Sequence, residues 1–259
     1  MNSLLSLYAW AETALVAVAG FVVQLPLALV TLPFDRGRKI VGRWLRLEAV
    51  TAAKLSPFWD FRIHGPRPRP PRGKTVVVSN HESNADPFLI SFLPWEMKFL
   101  AKASLFRVPV VGWGMWLAGD IPVVRGDVES GRDALARCAR WLERSVPVLI
   151  FPEGTRSSTG EMLPFKDGAF RLAIETGADV LPIAVAGTGR ALPKHSWRFS
   201  HSHGRVAVGS PLSTRGMTAV DIPRLKAAAR EQIEAIRSEL AAVVGGEPAP
   251  ARQRRDAMP

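Results

Sequence analysis

The stretch "VVVSNHESNADPFLI", residues 76–90, joins three local patterns. It begins with an apolar, β-branched run, which is typical of a strand buried on both faces. A polar turn follows, and then Asp86 and Pro87, two residue types that favour the first turn of a helix. A buried strand that passes through a short polar turn into a helix indicates one unit of an α/β fold.

The same alternation of strands and helices continues toward the C-terminus. Further apolar runs predict strands, and the segments between them predict helices. The predicted strands are residues 75–79, 121–124, 146–151, 180–187 and 205–212. We therefore expect an α/β domain with a mostly parallel, mixed sheet that is flanked by helices.

The composition of the chain indicates which kinds of molecule the protein could bind. The chain has 259 residues and is 47% hydrophobic, so it can bury a sizeable core, and its length allows one or two domains. The formal net charge of +11 suits an anionic partner, either a nucleic acid or a phospholipid surface. Cys138 is the only cysteine, which excludes an intramolecular disulfide and a cysteine-based metal cluster.

The N-terminal segment carries a membrane signal. Thr13 to Phe34 contains no charged residue, and as a helix these residues would extend roughly 33 Å, close to the ~30 Å of a bilayer core. Gln24 and Pro26 interrupt the run, so a spanning and a re-entrant helix both remain open. Basic residues follow at once: Arg36, Arg38, Lys39, Arg43 and Arg46. The positive-inside bias then predicts that the rest of the chain stays in the cytoplasm.

A second helix is expected after this run. Ile40, Trp44, Leu47 and Val50 recur at helical spacing with basic residues between them, which favours an interfacial helix on anionic lipid. Together the two helices predict a membrane-associated helical pair. We divide the chain into membrane-anchoring helices (1–58), a Pro/Arg-rich connector (59–74), the α/β domain (75–244) and a disordered tail (245–259).

Two polar loops follow predicted strands, where side chains meet at the carboxyl edge of a parallel sheet. The first, "NHESNAD" (80–86, the His81 loop), offers His81 as a general base that Asp86 would orient. On this loop alone an alternative stays open, in which Asp86 is a helix N-cap and His81 is an ordinary loop residue.

The second loop, "PEGTRS" (152–157, the Arg156 loop), has the chemistry of an anion site. Backbone amides near Gly154 and the guanidinium of Arg156 would bind a phosphate, and Glu153 could accept a hydrogen bond from a substrate hydroxyl. The alternative is a Gly-Thr turn with a solvent-facing arginine. Lys98 and Lys102 lie between the loops, and each taken alone predicts a solvated surface charge. A base, an anion site and a membrane anchor together point to a phosphorylated lipid as substrate.

These blocks resemble the glycerophospholipid acyltransferase family, specifically the bacterial 1-acylglycerol-3-phosphate (lysophosphatidate) acyltransferases. The stretch "NHESNAD" is similar to the family's N-H-x4-D motif, and "KASLFRVPVVG" to its second block. The stretches "FPEGTRS" and "VLPIAVAGT" are similar to the third and fourth blocks, with "FKDG" between them. The resemblance covers about residues 75–190.

The resemblance implies a reaction. His81, oriented by Asp86, would deprotonate the sn-2 hydroxyl of lysophosphatidate, which attacks an acyl thioester of coenzyme A or acyl carrier protein. Lys102 and Arg156 would bind the acceptor phosphate, and Glu153, Gly154 and Thr155 would shape the acceptor site. No acyl-enzyme, cofactor or metal is implied. The expected location is the inner (cytoplasmic) membrane, with the catalytic domain on the cytoplasmic face.

Other readings remain open. The acceptor could be lyso-ornithine lipid, lysophosphatidylglycerol or glycerol-3-phosphate, because sister activities share the same blocks. A catalytically silent module that only holds membrane lipids is the alternative outside enzymology. A nucleic-acid partner is not expected, because the basic residues are not interleaved with aromatics suited to base stacking.

Overall fold

The computed structural model describes residues 2–157, 161–193 and 196–246. From residue 247 onward the predicted tail lies outside the described residues. The architecture is a sheet of seven strands with helices on both faces, in the order β1-β7-β6-β2-β5-β3-β4. The strands are β1 (Trp59–Ile63), β2 (Thr75–Ser79), β3 (Lys98–Lys102), β4 (Ile121–Val123), β5 (Val148–Ile150), β6 (Asp179–Ala186) and β7 (Ser202–Val208). Neighbouring strands are parallel except β6 and β7, so the predicted mostly parallel, mixed α/β sheet is confirmed.

The helices separate into two layers around this sheet. They are α1 (Asn2–Thr31), α2 (Lys39–Leu55), α3 (Asp86–Ile90), α4 (Val111–Ala118), α5 (Val128–Leu142), α6 (Gly168–Thr176) and α7 (Ile222–Gly246). Alternate residues of β2 point to opposite faces: Val76 and Val78 pack with the core under α5, α6 and α7, whereas Val77 packs with the core beside α3. The site loops therefore emerge from a sheet that is fixed on both sides.

Strand β1 corrects the predicted domain division. It occupies the first five residues of the stretch assigned to the connector, and it pairs in parallel with β7 at the edge of the sheet. Its sequence "WDFRI" carries two charges, which hid the strand pattern. The charges are accommodated because Asp60 accepts a hydrogen bond from Nη2 of Arg205 at 3.0 Å and from Nε of Arg62 at 2.8 Å. Only residues 64–74 connect without regular structure.

Strand β3 contains a second correction, because Lys98 is not a solvated charge. Its side chain is completely buried, and its ammonium group donates to Glu96 Oε1 at 3.0 Å and to the carbonyl of Arg38 at 2.9 Å. Arg46 of α2 adds a second buried cation. Its guanidinium pairs with Asp120 and lies 3.7 Å from Glu96. We call Arg46, Glu96, Lys98 and Asp120 the α2 ion cluster. It fastens α2 to the edge of the sheet.

Helix α1 has an inverted surface. Its buried positions are small or polar, and its exposed positions are large and apolar. The buried residues are Ser6, Ala9, Glu12, Gly20, Gln24, Ala28 and Thr31, and the most exposed are Leu4, Leu15, Val22, Leu29 and Val30. Among the described residues, Ser3–Thr31 is the one helical stretch whose length and mean hydropathy of 2.2 suit a membrane crossing, and 17% of its most apolar window is buried. Pro26 lies inside the continuous helix, without a break.

Helices α2 and α4 pack beside α1. Nε1 of Trp44 donates to the carbonyl of Gly20 at 2.9 Å, and Nε2 of Gln24 donates to the carbonyl of Gly114 at 3.1 Å. On α2, Ile40 and Leu47 are exposed, as the interfacial prediction requires. On α4, Trp113 and Trp116 are half-exposed beside the apolar surface of α1. The apolar surface of the N-terminal part therefore extends from α1 onto α2 and α4.

Candidate active site

The predicted site residues lie at the carboxyl ends of neighbouring parallel strands. The His81 loop follows β2, the Arg156 loop follows β5, and Lys102 ends β3. Strand β5 pairs with β2 on one side and with β3 on the other, so the three ends are adjacent. This edge of a parallel sheet is where α/β proteins bind their ligands.

His81 and Asp86 form a close pair. Nδ1 of His81 lies 2.7 Å from Oδ2 of Asp86, and both side chains are buried. An ionised carboxylate only accepts hydrogen bonds, so Nδ1 carries the proton and Nε2 presents its lone pair. Nε2 has no hydrogen-bond partner among the described residues. It is not sealed from solvent either, unlike the buried polar atoms that lack a partner elsewhere in the fold. The geometry is that of a histidine base with a free ring nitrogen.

The surroundings of Asp86 decide between the two readings of this loop. The side chain turns back over the loop, where Oδ2 accepts the backbone N–H of Glu82 at 2.8 Å and of Ser83 at 2.9 Å. The residue before α3 is Ala85, and Asp86 stands inside the first turn. Asp86 therefore organises the His81 loop and is not the N-cap of α3.

Two further contacts hold the loop in place. The side-chain amide of Asn80 exchanges two hydrogen bonds with the backbone of Val185, each 2.9 Å long, and so ties the loop to β6. The imidazole of His81 stacks on the ring of Phe151, with centroids 4.1 Å apart and planes inclined by 19°. The ring is thus fixed by a carboxylate at one nitrogen and by an aromatic face.

The carboxylate of Glu153 binds backbone amides of the protein itself. Its Oε1 accepts the backbone N–H of His81 at 2.8 Å, and its Oε2 accepts the backbone N–H of Leu163 at 2.9 Å. Burial raises the pKa of this carboxyl, while those two backbone donors oppose the rise. Both oxygens are therefore engaged: Oε1 joins the two site loops and Oε2 binds the segment that follows the Arg156 loop, which differs from the predicted hydrogen bond to a substrate hydroxyl. Its shaping of the acceptor site through the loop stays a prediction.

A group of cations surrounds the Arg156 loop. Arg156 and Lys102 have no hydrogen-bond or ion-pair partner among the described residues. Arg125 follows β4, and partial burial together with the neighbouring guanidinium of Arg156 lowers its pKa. Strand β4 pairs with β3 so that Val123 lies opposite Lys102, which brings Arg125 to the same edge. Unpaired cations in one group favour a multiply charged anion as the missing partner.

The backbone conformation at position 154 favours glycine. Its φ of +72° lies in the left-handed region, and a Cβ there would stand 3.0 Å from Nζ of Lys166. The backbone amide of Lys166 also donates to the carbonyl of Pro152 at 2.9 Å. Lys166 therefore lies over the Arg156 loop and adds a further positive charge to the cation group. Thr155 lies between Gly154 and Arg156 on this loop and is partly buried.

Glu82, next to His81, is a second carboxyl at this site. Its Oε1 accepts a hydrogen bond from Nε of Arg237 on α7 at 3.1 Å. Burial and the neighbouring Asp86 raise the pKa of Glu82 to about 7, although Arg237 and the Gly189 amide act in the opposite direction. The site thus contains one carboxyl that changes charge near neutral pH.

Sequence reasoning did not single out Arg125, Lys166, Glu82 or Thr188. Arg125 could have been found, because it directly follows the predicted strand "IPVV" and thus lies at the carboxyl edge. Lys166 and Thr188 stand in the blocks "FKDG" and "VLPIAVAGT", but no local pattern shows which loop they reach. In the described ranges no group of three or more His, Cys, Asp or Glu side chains could hold a metal ion.

Comparisons with known proteins identify the family of this chain. A profile of the family described as "Acyltransferase" matches residues 60–186, which include both site loops. A 1-acyl-sn-glycerol-3-phosphate acyltransferase of Chlamydomonas reinhardtii is 36% identical over 187 residues, covering 72% of this chain and 55% of the algal protein. The alpha form of that enzyme from Mus musculus is 33% identical over 225 residues, covering 85% of this chain and 79% of the mouse protein. The chain spans about half the length of the algal and plant relatives that it matches.

A solved structure extends the likeness to nearly the whole fold. The 1-acyl-sn-glycerophosphate (LPA) acyltransferase PlsC from Thermotoga maritima superposes with a TM-score of 0.78 at 26% identity, covering 96% of this chain and 98% of that chain. The likeness therefore includes the N-terminal helices as well as the sheet. The family profile, the sequence relatives and the whole-chain structural likeness agree, and the chain belongs to the acyltransferase family of the 1-acyl-sn-glycerol-3-phosphate acyltransferases.

Proposed function

We propose that this protein transfers a fatty acyl group from an acyl thioester to the sn-2 hydroxyl of 1-acyl-sn-glycerol-3-phosphate. The product is phosphatidate, and the reaction belongs to phospholipid biosynthesis. The observation that carries the proposal is the pair of His81 and Asp86, with Nδ1 and Oδ2 2.7 Å apart and Nε2 left free. The names of the relatives support the choice of acceptor.

The chemistry uses one base and no covalent intermediate on the protein. Nε2 of His81 takes the proton from the sn-2 hydroxyl, and the oxygen attacks the thioester carbonyl. The tetrahedral intermediate collapses, the carbon–sulfur bond breaks, and the thiolate takes the proton back from His81. Asp86 stabilises the imidazolium between these two steps. Products are phosphatidate and the free thiol of coenzyme A or acyl carrier protein, and no cofactor or metal takes part.

The cation group around the Arg156 loop binds the acceptor phosphate. Lys102, Arg156 and Arg125 come from adjacent strand ends, and an arginine can hold phosphate oxygens through two parallel N–H donors. Gly154 and Thr155 form the turn that presents Arg156. A lysolipid held by its phosphate at this edge would place its hydroxyl near His81, because the two loops are joined by Glu153.

The membrane is the source of the acceptor. The inverted surface of α1 and the half-exposed Trp113 and Trp116 suit contact with lipid, since tryptophan prefers the bilayer interface. We place the protein at the cytoplasmic membrane with the sheet on the cytoplasmic side, following the basic residues after α1. Protease added to sealed spheroplasts should leave the α/β domain intact, and cleavage from outside would reverse this orientation.

The decisive experiment measures thiol release and phosphatidate formation in detergent micelles. We expect release that depends on lysophosphatidate and that falls on the order of 10²–10⁴-fold in His81→Ala. His64→Ala is the matched control, because it removes another histidine that pairs with a carboxylate, Glu239, at 3.2 Å. Coenzyme A and carrier-protein thioesters are compared directly to identify the donor.

Other outcomes identify the alternatives. Activity that appears only with lysophosphatidylglycerol, lyso-ornithine lipid or glycerol-3-phosphate would change the acceptor and keep the chemistry. Release that persists in His81→Ala would remove His81 as the base. Absence of transfer to every acceptor would leave a lipid-binding module.

A further inference from the structure

Thr188 contacts the catalytic pair from a distant part of the chain. It is completely buried, and its hydroxyl donates a hydrogen bond to Oδ1 of Asp86. The two residues are 102 positions apart in sequence. Thr188 begins a short 3-10 helix (Thr188–Arg190) directly after β6, at the same edge of the sheet as the His81 loop.

The donors around Asp86 divide unequally between its two oxygens. Oδ2 accepts from Nδ1 of His81 and from the backbone N–H groups of Glu82 and Ser83. Among the described residues, only Thr188 donates to Oδ1. The three donors on Oδ2 all come from the His81 loop, so they tie the carboxylate to nothing outside that loop. The Thr188 hydroxyl satisfies the second oxygen and ties the carboxylate to the turn after β6.

The backbone before Thr188 is built for this contact. Gly187 has a φ of +85°, and a Cβ at this position would stand 2.0 Å from the carbonyl oxygen of His203. Only glycine therefore fits between β6 and the turn. The hydroxyl of Ser202 also donates to the carbonyl of Gly187. The turn is thus fixed on β7, and it delivers Thr188 to Asp86 as a rigid support.

We propose that Thr188 is a positioning residue, whose hydroxyl holds the plane of the Asp86 carboxylate so that Nε2 of His81 faces the acceptor hydroxyl. The role rests on the acyl transfer proposed above. Thr188 reaches no reacting atom and acts through Asp86. Without it, Oδ1 would be a buried charged oxygen with no donor among the described residues, and the carboxylate would turn to find one.

The test compares three variants. Thr188→Val removes the hydroxyl and keeps the shape, whereas Thr188→Ser keeps the hydroxyl. Thr214→Val is the matched control, because Thr214 is also a buried threonine, but its hydroxyl donates to the carbonyl of Ala178 at 3.0 Å, near the opposite ends of the strands. The measurements are kcat, KM for both substrates and thermal stability, together with the low-field NMR resonance of the His81 Nδ1 proton in protein without substrate.

We expect kcat of Thr188→Val to fall about 10- to 100-fold, because a hydrogen bond to a charged group contributes that much. KM should stay within about twofold, Thr188→Ser should recover kcat to within about threefold, and Thr214→Val should lose stability without losing kcat. The His81 resonance, assigned by its absence from His81→Ala, should shift or vanish in Thr188→Val alone.

Several results would overturn the role. These are a kcat of Thr188→Val within twofold of the wild type, a loss confined to KM, equal impairment of Thr188→Ser, or an unchanged His81 resonance. The NMR comparison needs no turnover. If the wild-type protein acylates no lysolipid, the proposed function fails, while the resonance still decides whether Thr188 orders the pair.

Discussion

The His81 loop and the α2 ion cluster both bury charged groups, but they differ in which atoms remain available. In the cluster, Arg46, Glu96, Lys98 and Asp120 balance two positive against two negative charges, and its unpartnered atoms are sealed from solvent. In the loop, Asp86 is fully engaged, and Nε2 of His81 is the atom left free. Burial and close pairing are therefore common to both groups, and the free ring nitrogen of His81 distinguishes the proposed site of acyl transfer.

Asp86→Asn should cause the largest effect, because it removes the charge that stabilises the imidazolium and favours the wrong ring tautomer. We expect kcat to fall on the order of 10³–10⁴-fold with the fold retained. Asp60→Asn is the control, since Asp60 also lies near a histidine, 3.4 Å from Nδ1 of His203, at the far edge of the sheet. Initial rates and thermal unfolding check both variants, and a loss of less than tenfold in Asp86→Asn would place the pair outside the reaction.

Arg46→Met should affect stability and leave the chemistry intact. The substitution leaves Glu96 and Asp120 buried with Lys98 as their remaining cation, and breaking a buried pair in this way costs about 3–5 kcal/mol. Arg62→Met removes an exposed ion pair with Asp60 and should cost below about 1 kcal/mol. Denaturant unfolding in detergent measures the difference, with kcat per folded molecule kept within about threefold. Equal stability of the two variants would show that the cluster does not hold α2.

Glu82 in the His81 loop and Glu48 on α2 should both make the free energy of unfolding depend on pH. Burial raises the pKa of each from the ordinary 4.5 to about 7. A raised folded pKa means that protonation stabilises the fold: the contribution is complete below about pH 4.5 and is lost as pH rises through about 7. The unfolding free energy of the wild type should therefore fall as pH rises through this window. Glu82→Gln and Glu48→Gln should each remove one carboxyl's share of that fall, up to ~3 kcal/mol.

The pH dependence of kcat should differ between the Glu82 and Glu48 variants. Glu82 lies beside Asp86, whereas Glu48 packs against Gly20 between α1 and α2. Only Glu82→Gln should change the pH dependence of kcat around pH 7, and Glu48→Gln should keep the wild-type profile. Parallel profiles from pH 5 to 9 provide the measurement, and identical curves for all three proteins would show that Glu82 does not influence the reaction.

Sequence patterns predicted the apolar strands of the sheet better than the strands that carry charges. Strands β2, β5 and β6 are short, continuously apolar runs, because both of their faces are buried. Strand β1 was missed because an edge strand can keep charges, and β3 was missed because it begins with Lys98, whose partner Glu96 becomes apparent only when α2 closes over both. The rule that failed in each case was that charged residues indicate a loop and not a strand.

The candidate site divides in the same way. His81, Asp86, Arg156 and Lys102 were found because each stands in or beside a recognisable block near a strand end. The contacts that orient them were not: Glu153 was expected to face the substrate but joins its loop to His81 across 72 positions, and Thr188, which reaches Asp86 across 102, was not singled out. Local spacing identifies which residue types are present, and contacts between distant strand ends determine what each one does.

The edge strand β1 has a consequence for the order in which this protein can be made. Asp60 is held by Arg205, 145 positions later, so β1, the first of the described strands, has no partner among them until β7 has been synthesised. By then α1 has long been available to the membrane. A nascent chain that stops before residue 202 would expose one unpaired edge of β6, a template for aggregation at the bilayer surface. Synthesis of β7, and not membrane insertion, is the step that completes the sheet.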